Sequence, residues 1–195
     1  MARPPKYADE EILDRALELF WTRGWSATSI RELEAQLDIK APAIYRRFGS
    51  KDGLSQAVLG HYVDRVVRRR VEKYLPGDGD PIGNIREFLV SGVRPAADGG
   101  PLIGCLLTTT ALETPEVSPD LSAALAAGQA VIEAAIRREL ERAEEAGVLA
   151  PELDVDDALS VLTLAWHGLM VLARSGEAPE VLTRRAHAAA DALTT

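Results

Sequence analysis

Between Ser29 and Lys51 this chain can build only short helices, and that restriction narrows its fold more than any other stretch. Ser29 and Glu32 have capping-box spacing, so a helix starts there. Ile30, Leu33 and Leu37 supply a brief apolar stripe before Asp38-Ile39-Lys40-Ala41-Pro42 interrupts it. Proline is tolerated in the first turn of a helix and poorly further in, so Pro42 opens a second helix. That helix runs through Ala43, Ile44, Tyr45, Arg46, Arg47 and Phe48 and stops at Gly49; Ser50 then caps another that begins at Lys51. A longer helix precedes the pair, with Ile12, Leu13, Ala16, Leu17, Leu19 and Phe20 at helical spacing, acids in its first turn and Gly24 at its end. The spacing therefore predicts a helix-turn-helix.

A helix entering a DNA major groove about 12 Å wide needs apolar anchors behind it and small or hydrogen-bonding groups in front. Ile44 and Phe48, at i and i+4, fit the first demand. Lys40, Ala41, Pro42, Ala43, Tyr45, Arg46 and Arg47 are the candidates for the second. From Lys40 to Lys51 there are four cations and no anion. Residues 1–51 carry a formal charge of +1, which leaves −9 of the total −8 on the other 144 residues. The overall charge argues against coating of nucleic acid and leaves room for a local basic reading surface.

The remainder reads as all-α. The 195 residues include 30 alanines and only ten aromatics, and no strand pattern or internal repeat emerges. Nine helices are expected, as a DNA-binding unit over residues 1–52 and a ligand-binding and dimerisation unit over 53–195. A helix over 51–75 should bury Leu54, Val58, Tyr62, Val66 and Val71, with Arg65, Arg68, Arg69 and Arg70 as its solvated face. Further helices are expected over 82–97 and 102–112, over 119–146 with a charged end from Arg137 to Glu145, to about Ser175 after an Asp154 cap, and over 178–193. Breaks are expected at Pro76–Pro81, Asp98–Pro101 and Thr114-Pro115. No stretch approaches 18 uninterrupted apolar residues, no signal-peptide pattern opens the chain, and the single cysteine cannot form an internal disulfide. The expectation is a cytoplasmic protein without membrane contact. No nucleophile–base pair, metal-ligand cluster or phosphate loop is present, so neither catalysis, a cofactor nor a metal is expected.

The last two helices carry more apolar surface than one domain face needs, at Leu159, Leu162, Trp166, Leu169, Leu182, Ala186, Ala189, Ala190 and Leu193, so these residues either meet a twin chain or are wholly internal. A helical domain of this size can hold a pocket. Candidate liners are Tyr62, Phe88, Cys105, Leu106, Thr109, Trp166, His167 and Met170, mostly apolar or neutral, which suits a hydrophobic or weakly polar small molecule.

From Ile12 to Lys51 the chain resembles the TetR family of bacterial transcriptional regulators. The matching runs are Ile12 to Phe20, Arg23-Gly24-Trp25, Ala27-Thr28-Ser29-Ile30 and Ile44-Tyr45-Arg46-Arg47-Phe48-Gly49-Ser50-Lys51. Two positions depart from the family pattern: Asp38 stands where a turn glycine is usual, and Lys40 where Ser or Thr caps the recognition helix. The resemblance implies a homodimer on a palindromic double-stranded operator, usually repressing and released by a small molecule. By position it implies a DNA surface that also takes in Ser29, with base reading by Arg31, base-edge contact by Pro42 and Ala43, and phosphate contact by Tyr45 and Lys51. Of Arg46 and Arg47, one would face DNA and the other brace the ligand domain. It also implies a four-helix bundle of the last two helices with their twins. The run Gly104-Cys105-Leu106-Leu107 resembles a branch that includes electrophile and oxidant sensors, although no Lys or Arg lies within several residues of Cys105 to activate a thiol there.

Overall fold

Capping and turn chemistry set the first boundaries. In the computed structural model, which describes residues 9–95, 102–113 and 118–194, α1 spans Asp9–Arg23, α2 Ile30–Leu37 and α3 Ala41–Phe48. The expected breaks at Asp98–Pro101 and Thr114-Pro115 lie outside the described residues. Ser29 and Glu32 form the capping box reciprocally at the start of α2. Asp38 ends α2 in the left-handed conformation, φ 52° and ψ 39°, doing the work of the missing glycine. Lys40 makes no side-chain cap on α3. The cap comes instead from α2, where a Glu34 carboxylate oxygen accepts the Ala41 N–H at 2.7 Å. Ile12, Ala16, Phe20, Leu33, Leu37 and Ile44 form the core of this head, with Phe48 packed at its edge.

The segments Lys51–Tyr62, Val63–Val67 and Arg68–Tyr74 run on as one helix, α4, whose middle segment is a π turn. Gly53 is required in its first turn, because a Cβ there would lie 2.0 Å from the Phe48 carbonyl oxygen. α4 packs on α1 and α3 at its start and on α7 further along, so a boundary at residue 52 would cut its first turn. There follow α5 (Pro81–Gly92), α6 (Leu106–Glu113), α7 (Pro119–Glu145), α8 (Val155–Arg174) and α9 (Pro179–Asp191). Among the described residues the chain is thus nine helices and no strand. α5 stops at Gly92 rather than 97, and α6 begins only at Leu106.

Packing settles two features that periodicity leaves open. The charged end of α7 is not wholly solvated. Glu139 is fully buried, accepts the Gly77 N–H at 2.7 Å and the Asn84 side-chain amide at 3.2 Å, and pairs with Arg142. It staples the Pro76–Pro81 loop to α7. Second, the residues expected at a dimer surface are mostly interior. Leu162, Trp166, Leu169, Leu182, Ala186, Ala190 and Leu193 are buried within the protomer, and Leu159 and Ala189 are half-buried. α9 consumes them, because it packs on both α5 and α8. A different stripe of α8 faces outward: Val161, Leu164, Gly168 and Val171, with Leu164 73% exposed. α8 is long and apolar enough to cross a bilayer by length and composition. Here one of its apolar stripes packs on α5, α7 and α9.

Candidate nucleic-acid interface

The outer surface of the helix-turn-helix gathers most of the sequence-predicted positions. Ser29, Arg31, Lys40, Pro42, Tyr45, Arg46 and Arg47 are exposed, Tyr45 by 44%, while Ala41 and Ala43 are half-buried at the start of α3. Ile44 is buried behind them. Three residues carry other duties. The Ser29 hydroxyl is occupied in the capping box. Arg47 pairs with Asp9, so its brace is to α1 of the head rather than to the ligand domain. Lys51 donates to the Trp25 carbonyl at 2.7 Å and lies 4.4 Å from the centroid of the Trp25 ring. Burial there lowers the Lys51 pKa.

A junction below this surface joins the head to the second half of the chain. The Trp21 indole N–H donates to Gly104 O at 3.0 Å, and Arg174 donates to Trp21 O at 3.0 Å. Arg174 also approaches Glu113 at 3.6 Å, and that carboxylate accepts the Ser26 N–H at 3.4 Å. Gly104 holds φ 71°, and a Cβ on it would meet Met170 O at 2.7 Å. Sequence reading had no signal for Trp21, Glu113 or Arg174 as partners, because their junction contacts span between 61 and 153 residues.

Behind the junction lie two adjoining cavities that share Cys105, Ile132 and Trp166. One, a narrow gap of about 190 Å³ including open solvent, is walled by Tyr62, Val67, Arg70 and Phe88; the other, of about 300 Å³ counted in the same way, by Leu107, Thr108, Gln129, Glu133, Ile136, Thr163 and His167. Five predicted liners, Tyr62, Phe88, Cys105, Trp166 and His167, meet here. The other three do not line either space. Leu106 faces a separate gap with Phe20 and Trp25. The Thr109 hydroxyl turns back onto the carbonyls of Cys105 and Leu106. Met170 is fully buried, its backbone close to Gly104 and its side chain to Gly92. Phe88 stacks on Trp166 at 4.7 Å between centroids, and Trp21 meets Tyr62 edge-on at 5.0 Å. The Tyr62 hydroxyl donates to Cys105 Sγ at 3.5 Å, and burial pushes the Tyr62 pKa well up. His167 Nδ1 lies 2.9 Å from the Thr108 hydroxyl, and burial lowers its pKa against an opposing pull from Glu133. Cys105 is 1% exposed.

Comparison with known proteins decides the family. The model of the tetR family of bacterial regulatory proteins matches residues 12–58, and that of the tetracyclin repressor-like C-terminal domain matches residues 82–189. The chain belongs to the TetR family. It is 26% identical over 180 residues to the transcriptional repressor ComR of Escherichia coli, covering 92% of this chain and 86% of that one. It is 32% identical over 106 residues to the repressor BdcR of the same organism, about half of each chain (54% and 53%). Its fold superposes on the TetR family regulator CifR, solved in complex with 26-base-pair operator DNA. The TM-score is 0.85 at 28% identity, over 98% of this chain and 100% of that one.

In this TetR-family transcriptional regulator the two positions expected to depart from the family pattern, Asp38 and Lys40, are both accommodated locally. Asp38 takes the left-handed conformation itself, and Glu34 caps α3 in place of residue 40. The two cavities fall mainly in the half that the C-terminal domain model matches, with α4 supplying Tyr62, Val67 and Arg70 from outside it.

Proposed function

We propose that this chain is a repressor that binds a palindromic operator as a homodimer and lets go when a small molecule enters the cavities beside Trp166. The observation that carries the DNA reading is the exposed face formed by Arg31, Lys40, Pro42, Tyr45 and Arg46 over a buried Ile44. Arg31 reads a base edge, since a guanidinium suits bidentate contact with guanine. Tyr45 and Arg46 hold phosphates and fix register. Lys51 contributes a phosphate contact through the donors not given to Trp25, and its carbonyl bond and ring contact hold its position.

The dimer forms through the outward stripe of α8, where Val161, Leu164 and Val171 are 46%, 73% and 41% exposed and Gly168 lets a twin helix come close. Twofold pairing sets two α3 helices at a spacing of roughly 34–36 Å, or a multiple, on one duplex. The junction supplies the coupling. Tyr62 and Cys105 touch the cavities, Trp21 packs on Tyr62 and bonds to Gly104, and Arg174 and Glu113 grip the head. A ligand that pushes Tyr62 or Trp166 therefore bears on the head's orientation. The protein works in the cytoplasm, where its operator is.

Cys105 serves as cavity wall. It is covered on all sides, so mass spectrometry after mild electrophile treatment of the native protein leaves it unmodified; rapid alkylation would favour a thiol-based sensor instead. The DNA reading is tested by retardation of an inverted-repeat duplex, which rising salt should abolish. No retardation of any duplex at low salt would refute it.

A further inference from the structure

The π turn at Val63–Val67 moves a charge that a regular helix would leave outside. In a regular helix Tyr62, Val66 and Arg69 would share a face at i, i+4 and i+7. The wider turn brings Val67 in beside Tyr62 instead, and Val67 is buried while Val66 is half-buried. Arg70 follows at i+3 from Val67 and forms part of the 190 Å³ wall, whereas Arg68 and Arg69 are exposed. Its guanidinium carbon stands 5.9 Å from the centroid of the Trp166 ring. Arg65 and Arg68 have carboxylate partners in Asp14 and Asp64. Among the described residues Arg70 has none. A guanidinium set against Trp166 and Phe88 without an anion is costly to keep half-buried, and an anion arriving there would offset that cost.

We propose that the cavity takes a small monocarboxylate with one ring or a short apolar body, its carboxylate paired with Arg70. This rests on the effector-responsive reading above and names the ligand class for that site. The planar fork of Arg70 matches a carboxylate bidentately. One cation suits one negative charge; a phosphate, with nearly two, would call for further donors that the apolar wall lacks. The ligand's body lies along the edge of the stacked Phe88–Trp166 pair and against Ile132. Beyond Trp166, Thr108, His167 and Gln129 offer hydrogen bonds to a polar substituent, and Glu133 rejects a second negative charge at that end. The gap as it stands is too narrow for that body, so its walls must yield on binding, which limits the guest to about one ring.

Calorimetry and tryptophan fluorescence on the full-length protein test the assignment, with benzoate and phenylacetate as probes against benzamide and phenylacetamide. At least one acid should bind roughly tenfold or more tightly than its own amide. Arg70→Gln should erase that preference while keeping helicity and duplex retardation, and Arg70→Lys should keep part of it. Amides that bind as well as acids, a preference that survives Arg70→Gln, or acids that fail to bind at millimolar concentration would each overturn the ligand class. Duplex retardation is read on the same samples. Retention of DNA binding with no charge preference defeats this assignment alone. Loss of all DNA binding defeats the regulator reading, and the acid–amide comparison still decides the ligand class.

Discussion

Arg31 and Lys51 sit in the same head, yet their removal should leave different signatures. Arg31 is exposed, so Arg31→Ala should leave the fold intact and cost about 1–3 kcal/mol of operator binding, relaxing preference at one base pair. Competition gel shifts with single-base variants of the operator check this; equal losses on cognate and scrambled DNA would remove Arg31 from base reading. Lys51→Ala deletes a hydrogen bond to Trp25 and a cation–π contact, so it should lower head stability by about 1 kcal/mol and weaken every duplex alike. His167 reports on the cavity. Burial holds its pKa below the ordinary value, so the fold favours neutral imidazole. That contribution is complete above the unfolded value of about 6.5 and is lost as pH falls through the lower folded value. Urea midpoints of His167→Gln should therefore fall less between about pH 7 and 5 than those of the parent chain, and parallel slopes would contradict this. Arg31 and the cavity residues Phe88 and Trp166 could be picked from sequence by position and size. Arg70 could not: three adjacent arginines on a helix look solvated unless the helix phase shifts, and nothing local announces the π turn.

Element boundaries in the head follow from chemistry visible in the chain. The capping box at Ser29, the proline at 42 and the glycine at 49 each fall where a boundary lies. What sequence did not show is the substitute cap on α3. Glu34→Ala should cost about 1 kcal/mol by freeing the Ala41 N–H, with urea unfolding as the check; a change within error would mean water caps α3 equally well. The staple at Glu139 is likewise invisible in a run of mixed charges, since only packing against the Pro76–Pro81 loop buries it. Removing this buried acid leaves the Gly77 N–H without its partner and takes the carboxylate from Arg142 and Asn84, so Glu139→Ala should destabilise by about 3 kcal/mol, read from the same unfolding curves. The apolar surplus of α8 was legible; which stripe of it faces out was not. Seven of the nine residues chosen for a twin helix are buried within the protomer, because α8 carries two apolar stripes and α9 claims one.

At the scale of the whole molecule, the DNA surface, the junction and the α8 stripe make one assembly. Two heads must be held at a fixed spacing, and on the proposed reading the exposed stripe of Val161, Leu164 and Val171 holds them. Leu164→Glu places a charge at the most exposed of these positions and should yield a folded monomer, seen by sedimentation, with operator affinity greatly reduced. The most direct test of the central claim is selection of duplexes from a random pool by the full-length protein. The account predicts enrichment of an inverted repeat with half-sites about 10–10.5 base pairs apart or a multiple, lost when the selection is run with Leu164→Glu. A pool that emerges unenriched, or enriched in one half-site without its mirror image, would contradict it.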